Sequence, residues 1–137
     1  MSDNKPSKLD MDIINMVQNA RMMHDNEAVP SKVPGVYWIE AKNPNADQSP
    51  TARAGEFQIS TNVDDVDAQW ATIKSATEAG QLGYKSKVST SPTDGTPHGK
   101  QRLIVVRTID AEDKDDVQRV ENQLRDLGFE AMVYVRI

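Results

Sequence analysis

No cysteine occurs in the 137 residues, so disulfides, thiolate nucleophiles and cysteine-based zinc sites are excluded. Histidine is almost as scarce, with only His24 and His98 present. A histidine-rich metal site therefore lacks its ligands, and no cofactor is expected. A basic excess is missing: 16 Lys and Arg stand against 21 Asp and Glu, a formal net charge of -5. That balance argues against general binding to nucleic acid or to a membrane surface. No apolar run is long enough to span a bilayer, and the polar N-terminus has no signal-peptide core. By default these absences place the chain in the cytoplasm, with no membrane partner.

What is present fits one ordinary core. Apolar residues make up 37% and charged residues 27%, and the length suits a single domain. Residues 1–30 are expected to form a polar tail and a helix, and residues 31–137 one α+β domain. In the first part, Leu9, Ile13, Met16, Val17, Ala20 and Met23 recur at helical spacing and predict a helix near 8–23. In the second, strands are expected at 36–41, 55–61, 83–90, 103–106 and 129–137. Helices are expected at 64–79, with the stripe Val63, Val66, Trp70, Ile73 and Thr77, and at 113–127, with Val117, Val120, Leu124 and Leu127. Asn62 or Asp64 opens the first of these, and Gly80 and Gly128 end them. The fold class is α+β: a mostly antiparallel sheet of about five strands with helices packed on one face.

The segment Gly83-Tyr84-Lys85-Ser86-Lys87-Val88-Ser89-Thr90 carries the functional signal. Alternation along a strand puts Lys85 and Lys87 on one face, roughly 7 Å apart at Cα. Two ammonium groups that close repel unless an anion lies between them. Phe57, Ile59, Val88, Leu103, Val105 and Val133 are expected to pack under the helices. The other face would then carry Gln58, Ser60, Lys85, Lys87, Ser89, Lys100, Arg102, Tyr134 and Arg136 above a floor of Ile104 and Val106. Such a face suits phosphate or carboxylate recognition through charge-assisted hydrogen bonds. A wet sheet face, protected from edge aggregation by its lysines, has the same composition.

Five segments carry a family resemblance. They are Pro34-Gly35-Val36-Tyr37-Trp38, Val66 to Trp70, Leu82-Gly83 with Lys85 to Thr90, Arg102 to Val106, and Asp115-Asp116-Val117 with Leu124 to Phe129. In these the chain resembles the phosphothreonine lyase domain family. The resemblance implies a curved antiparallel sheet backed by helices, similar to the cap-binding translation initiation factor. It also implies a β-elimination site in which Lys87 is the base, Lys85 its partner, and Lys100 or Arg102 with Arg136 holds the phosphate. The family's acid histidine falls on Gln58, and Glu56 takes the place of a cation. The implied function is thus a domain that binds an anionic or phosphorylated small ligand or peptide without turning it over. The alternative is a carbon–oxygen lyase acting on phosphothreonine, with His98 or water supplying the acid. A third class, nucleic-acid binding, needs exposed aromatic residues on the central strands, where Ile104 and Val106 stand instead.

Overall fold

The computed structural model describes residues 21–23, 28–33, 37–44, 49–92 and 99–137. Among the described residues are six strands: β1 (Arg21–Met23), β2 (Tyr37–Lys42), β3 (Gly55–Asn62), β4 (Lys85–Ser89), β5 (Gln101–Thr108) and β6 (Val133–Arg136). Two α-helices accompany them, α1 (Val66–Glu78) and α2 (Lys114–Asp126), with a 3-10 turn at Pro30–Lys32. The class is α+β. The strands form one open sheet in the order β1-β2-β4-β5-β3-β6. Every neighbouring pair is antiparallel except β1 with β2, which run parallel.

The parity of β5 decides which face meets the helices. Ile104 and Val106 are fully buried. Ile104 stands opposite Ile59 and Val88, and Val106 opposite Phe57 and Ser86. Ile104, Val106, Phe57, Ile59 and Val88 share one core cluster with Ile39 and Ala41 of β2, with Val66, Trp70, Ile73 and Ala76 of α1, and with Val120 and Leu124 of α2. Full burial of such side chains stabilises by about 1.5–3 kcal/mol each. The core also holds a satisfied polar pair: Thr77 donates to the Ile73 carbonyl at 2.7 Å and lies 2.7 Å from the Ser86 hydroxyl, tying α1 to β4.

Short-range chemistry sets the helix ends. Asn62 Oδ1 accepts from the backbone N–H groups of Asp64 and Asp65, both at 2.9 Å, and so turns the chain out of β3 into α1. Asp113 accepts from the Asp116 N–H at 3.2 Å and caps α2. Gly80 and Gly128 follow the helices with φ of 79° and 102°, the left-handed values that favour glycine.

Several expectations about faces are corrected here. Leu103 and Val105 do not lie under the helices; Ile104 and Val106 do. The run Leu103–Val106 is apolar throughout, so alternation carried no phase information. Val133 also leaves the helix side and is 61% exposed. Tyr134 takes the helix side instead. Its ring packs on Phe57 at 4.6 Å between centroids, and its hydroxyl lies 2.7 Å from Thr108 Oγ1. Residues 21–23, the end of the expected N-terminal helix, are an edge strand. The remainder of that helix, 8–20, lies outside the described residues, as does His98.

Gly83 has a steric duty. A Cβ there would fall on the carbonyl oxygen of Arg107, the oxygen that accepts from the Tyr84 N–H at 3.1 Å. Two backbones meet at this point, and the approach fixes where β4 starts against β5.

Two predictions follow from this packing. Trp70 is 2% exposed and its buried indole N–H has no partner among the described residues, so apolar packing is what holds it. Trp70→Ala should lower unfolding free energy by about 3–5 kcal/mol in a urea titration; an unchanged midpoint would contradict the assigned core. Gly83→Ala should cost about 1–3 kcal/mol, the usual penalty of overpacking. In amide NMR spectra its largest shifts should fall on Tyr84, Lys85, Arg107 and Thr108. Shifts confined to Gly83 and its chain neighbours would show that the two backbones do not meet there.

Candidate functional site

The face of the sheet away from the helices is a grid set by strand register. Lys42, Lys85, Arg107 and Glu56 stand in one row across β2, β4, β5 and β3. Glu40, Lys87, Val105 and Gln58 make the next row. In the row beyond, Trp38 stands opposite Ser89 on β2 and β4, and Leu103 opposite Ser60 on β5 and β3. Val105 is only 1% exposed although neither α1 nor α2, the helices among the described residues, covers this face, so the long polar side chains around it close over the strand. Lys and Arg stems do this readily while their charged heads stay near water.

Like charges directly opposite on neighbouring strands destabilise a sheet, and this row has Lys42 beside Lys85 beside Arg107. Two carboxylates relieve it. Glu40 lies 3.5 Å from Lys42 Nζ and 3.2 Å from Lys85 Nζ. Glu56, 8% exposed, accepts from Arg107 Nε at 3.1 Å and from Gln58 Nε2 at 2.9 Å. A carboxylate so deeply buried is tolerated because it is paired and hydrogen-bonded.

Lys87 is treated differently from its neighbours. Glu40 stands directly opposite it, yet the carboxylate turns to Lys42 and Lys85. Among the described residues no carboxylate lies within ion-pair distance of Lys87. Its ammonium sits over the Trp38 ring, 4.3 Å from the centroid, a cation–π contact. Burial holds the Lys87 amine below the usual lysine range; Arg107 and, less strongly, Lys85 push the same way, against Glu56 and Glu40. Burial and like charge both disfavour the protonated amine.

Beside the cation row the surface opens into a groove of about 500 Å³, lined by Lys42, Asn43, Ser49, Pro50, Tyr84, Lys85 and Arg107. Tyr84 also lies beside the Lys85 ammonium, 5.8 Å from ring centroid to Nζ. In this region four cations, Lys42, Lys85, Lys87 and Arg107, face two carboxylates, Glu40 and Glu56. Counted over the described residues, the face is locally positive on a chain of net charge -5.

Of the expected site residues, the structure brings Lys85, Lys87, Gln58 and Ser60 onto this face. Arg102 is not among them. It stands opposite Thr61, in phase with Ile104, and donates to the carbonyls of Gly99 and Gln101, both at 2.9 Å. Burial acts against its charge and holds it below the usual arginine range. Arg136 is in phase with Tyr134 and pairs with Glu112 at 3.3 Å. Lys100 precedes β5, is exposed, and uses its carbonyl to accept from the Val63 N–H at 2.8 Å. Lys42 and Arg107 are the residues that sequence reasoning missed. Extending the alternation Trp38-x-Glu40 by one step finds Lys42, and the other phase of β5 finds Arg107.

The resemblance reads the lysine strand as a β-elimination site whose acid is water or His98, which lies outside the described residues. Gln58 donates to Glu56 rather than standing as an acid, and the acidic Glu56 is occupied by Arg107. Comparison with known proteins overturns the resemblance behind that reading. The family model described as basophilic leukemia-expressed protein Bles03 matches residues 32–132, and it is not a phosphothreonine lyase family. No curated protein matches the chain. The matched span runs from the 3-10 turn through α2 and takes in the whole groove, and the chain belongs to the Bles03 family, that of basophilic leukemia-expressed protein Bles03.

Proposed function

We propose that this domain binds a small anionic ligand, a phosphate-bearing one above all, on the row Lys42, Lys85 and Arg107. The observation that carries the reading is the register: three cations on three adjacent strands stand directly opposite one another beside one groove. A sheet avoids that arrangement unless something offsets it. An oxyanion in the groove meets Lys85 and Arg107 at once, and the planar guanidinium suits two phosphate oxygens.

The resident carboxylates make the site selective rather than blocked. Glu40 offsets only part of the charge on the two lysines, one carboxylate against two ammonium groups. Lys85, with its side chain 26% exposed, is therefore free to trade Glu40 for a ligand oxygen. Arg107 stays fixed because Glu56 is buried and depends on it. Binding then needs no rearrangement of the sheet, only a swing of lysine side chains.

Inorganic phosphate, titrated by amide NMR, should shift Lys42, Lys85 and Arg107 first. Lys85→Gln should weaken that binding by about 10- to 100-fold, which corresponds to roughly 1.5–3 kcal/mol for a charge-assisted hydrogen bond. The affinity should also fall as salt rises. Shifts centred on Arg102 and Arg136, with the groove residues silent, would contradict the proposal.

A further inference from the structure

We infer that Lys87 is a carbonyl-reactive amine, and that the ligand whose anion rests on the Lys42–Lys85–Arg107 row is a phosphorylated aldehyde or ketone that forms an imine with it. This rests on the anion-binding reading of the same face. The geometry singles out Lys87 in three ways. It is the one cation of the four without an ion pair among the described residues, although a glutamate stands directly across from it. It is two residues from Lys85 on the same face, so a ligand phosphate on Lys85 and Arg107 holds a carbonyl a strand step away, roughly 7 Å along β4. And it stands against Trp38 rather than in open water.

An amine acts as a nucleophile only when neutral, and burial beside other cations is the usual way a protein obtains that form near neutral pH. The groups that face Lys87 are Arg107 and Lys85, which disfavour its proton, and Glu56 and Glu40, which favour it. Both carboxylates are engaged elsewhere, Glu56 by Arg107 and Gln58, Glu40 by Lys42 and Lys85. The Trp38 face attracts a cation. It favours the ammonium over the neutral amine, and a protonated imine regains the contact.

The chemistry balances without a further reagent. The neutral Nζ lone pair adds to the carbonyl carbon, and the C=O π electrons pass to oxygen. A proton moves from nitrogen to that oxygen to give a carbinolamine. Water then leaves as the C=N bond forms, and the imine nitrogen takes up a proton. The step is reversible hydration chemistry with no change of oxidation state.

The test uses pyridoxal 5′-phosphate and pyridoxal as paired probes on the full chain. Each is incubated at limiting concentration, trapped with borohydride, and located by peptide mass spectrometry. Lys87 should be labelled at least ten times more than any other lysine by pyridoxal 5′-phosphate, and at least ten times less by pyridoxal. Lys87→Arg, which keeps the charge over Trp38, should abolish the selective label, and Lys85→Gln should lower it toward the pyridoxal level. Labelling spread over Lys42, Lys85 and the other lysines would overturn the inference. If inorganic phosphate still shifts Lys85 and Arg107 in that case, the anion-binding reading survives without it. Selective labelling of Lys87 by both probes equally would overturn the phosphorylated class and the anion row together.

Discussion

Four cations share one sheet face because Glu40 and Glu56 stand among them, and the arrangement of this face follows from how those two carboxylates divide their attention. Glu56 is buried and belongs to Arg107 and Gln58. Removing a partner from such a group leaves an uncompensated buried charge, at a cost of about 3–5 kcal/mol. Glu40 is shared between Lys42 and Lys85 at ordinary ion-pair distances. The two halves of the face are about equally buried, and what separates them is that Glu56 also accepts from Gln58 whereas Glu40 divides itself between two lysines. Lys87, left to the Trp38 ring, belongs to neither half.

The same division links the core to the site. Tyr84 donates its N–H to Arg107 across the gap that Gly83 leaves open. On the helix face, Ser86 is locked to Thr77 of α1. Lys85 and Lys87 flank Ser86 in sequence and point the other way, so the buried Thr77–Ser86 pair sets the position of the strand that presents both lysines. Packing on one side of β4 thus places charge on the other.

Much of the fold was legible in the sequence, because its signals are local. Asn62, Asp113, Gly80 and Gly128 mark helix ends through their own hydrogen bonds and backbone preferences. The stripes of Trp70, Ile73, Val120 and Leu124 name the buried sides of α1 and α2. The site was legible only in part, because it depends on register between strands far apart in sequence. Leu103 to Val106 is apolar on both faces, and only pairing with Phe57 and Ile59 reveals which two residues look inward. Choosing the wrong phase brought in Arg102 and left out Arg107. Tyr134 and Arg136 were misplaced for a related reason: a tyrosine reads equally as wet or as core, until Phe57 and Thr108 are found beside it. The methionines at 22 and 23 fit a helical stripe as well as an edge strand, and the parallel pairing with β2 is not written in any local motif.

The central claim is that the cross-strand row, and not the arginines at the sheet's margins, is where an oxyanion settles. A crystal structure grown with selenate tests it most directly, since anomalous scattering locates the ion independently of the refined side chains. The account predicts a selenium peak within hydrogen-bonding reach of Lys85 Nζ and the Arg107 guanidinium, with Lys85 turned away from Glu40. A crystal in which the peak lies instead at Arg102 or Arg136, with the Lys85–Glu40 pair intact, would contradict it.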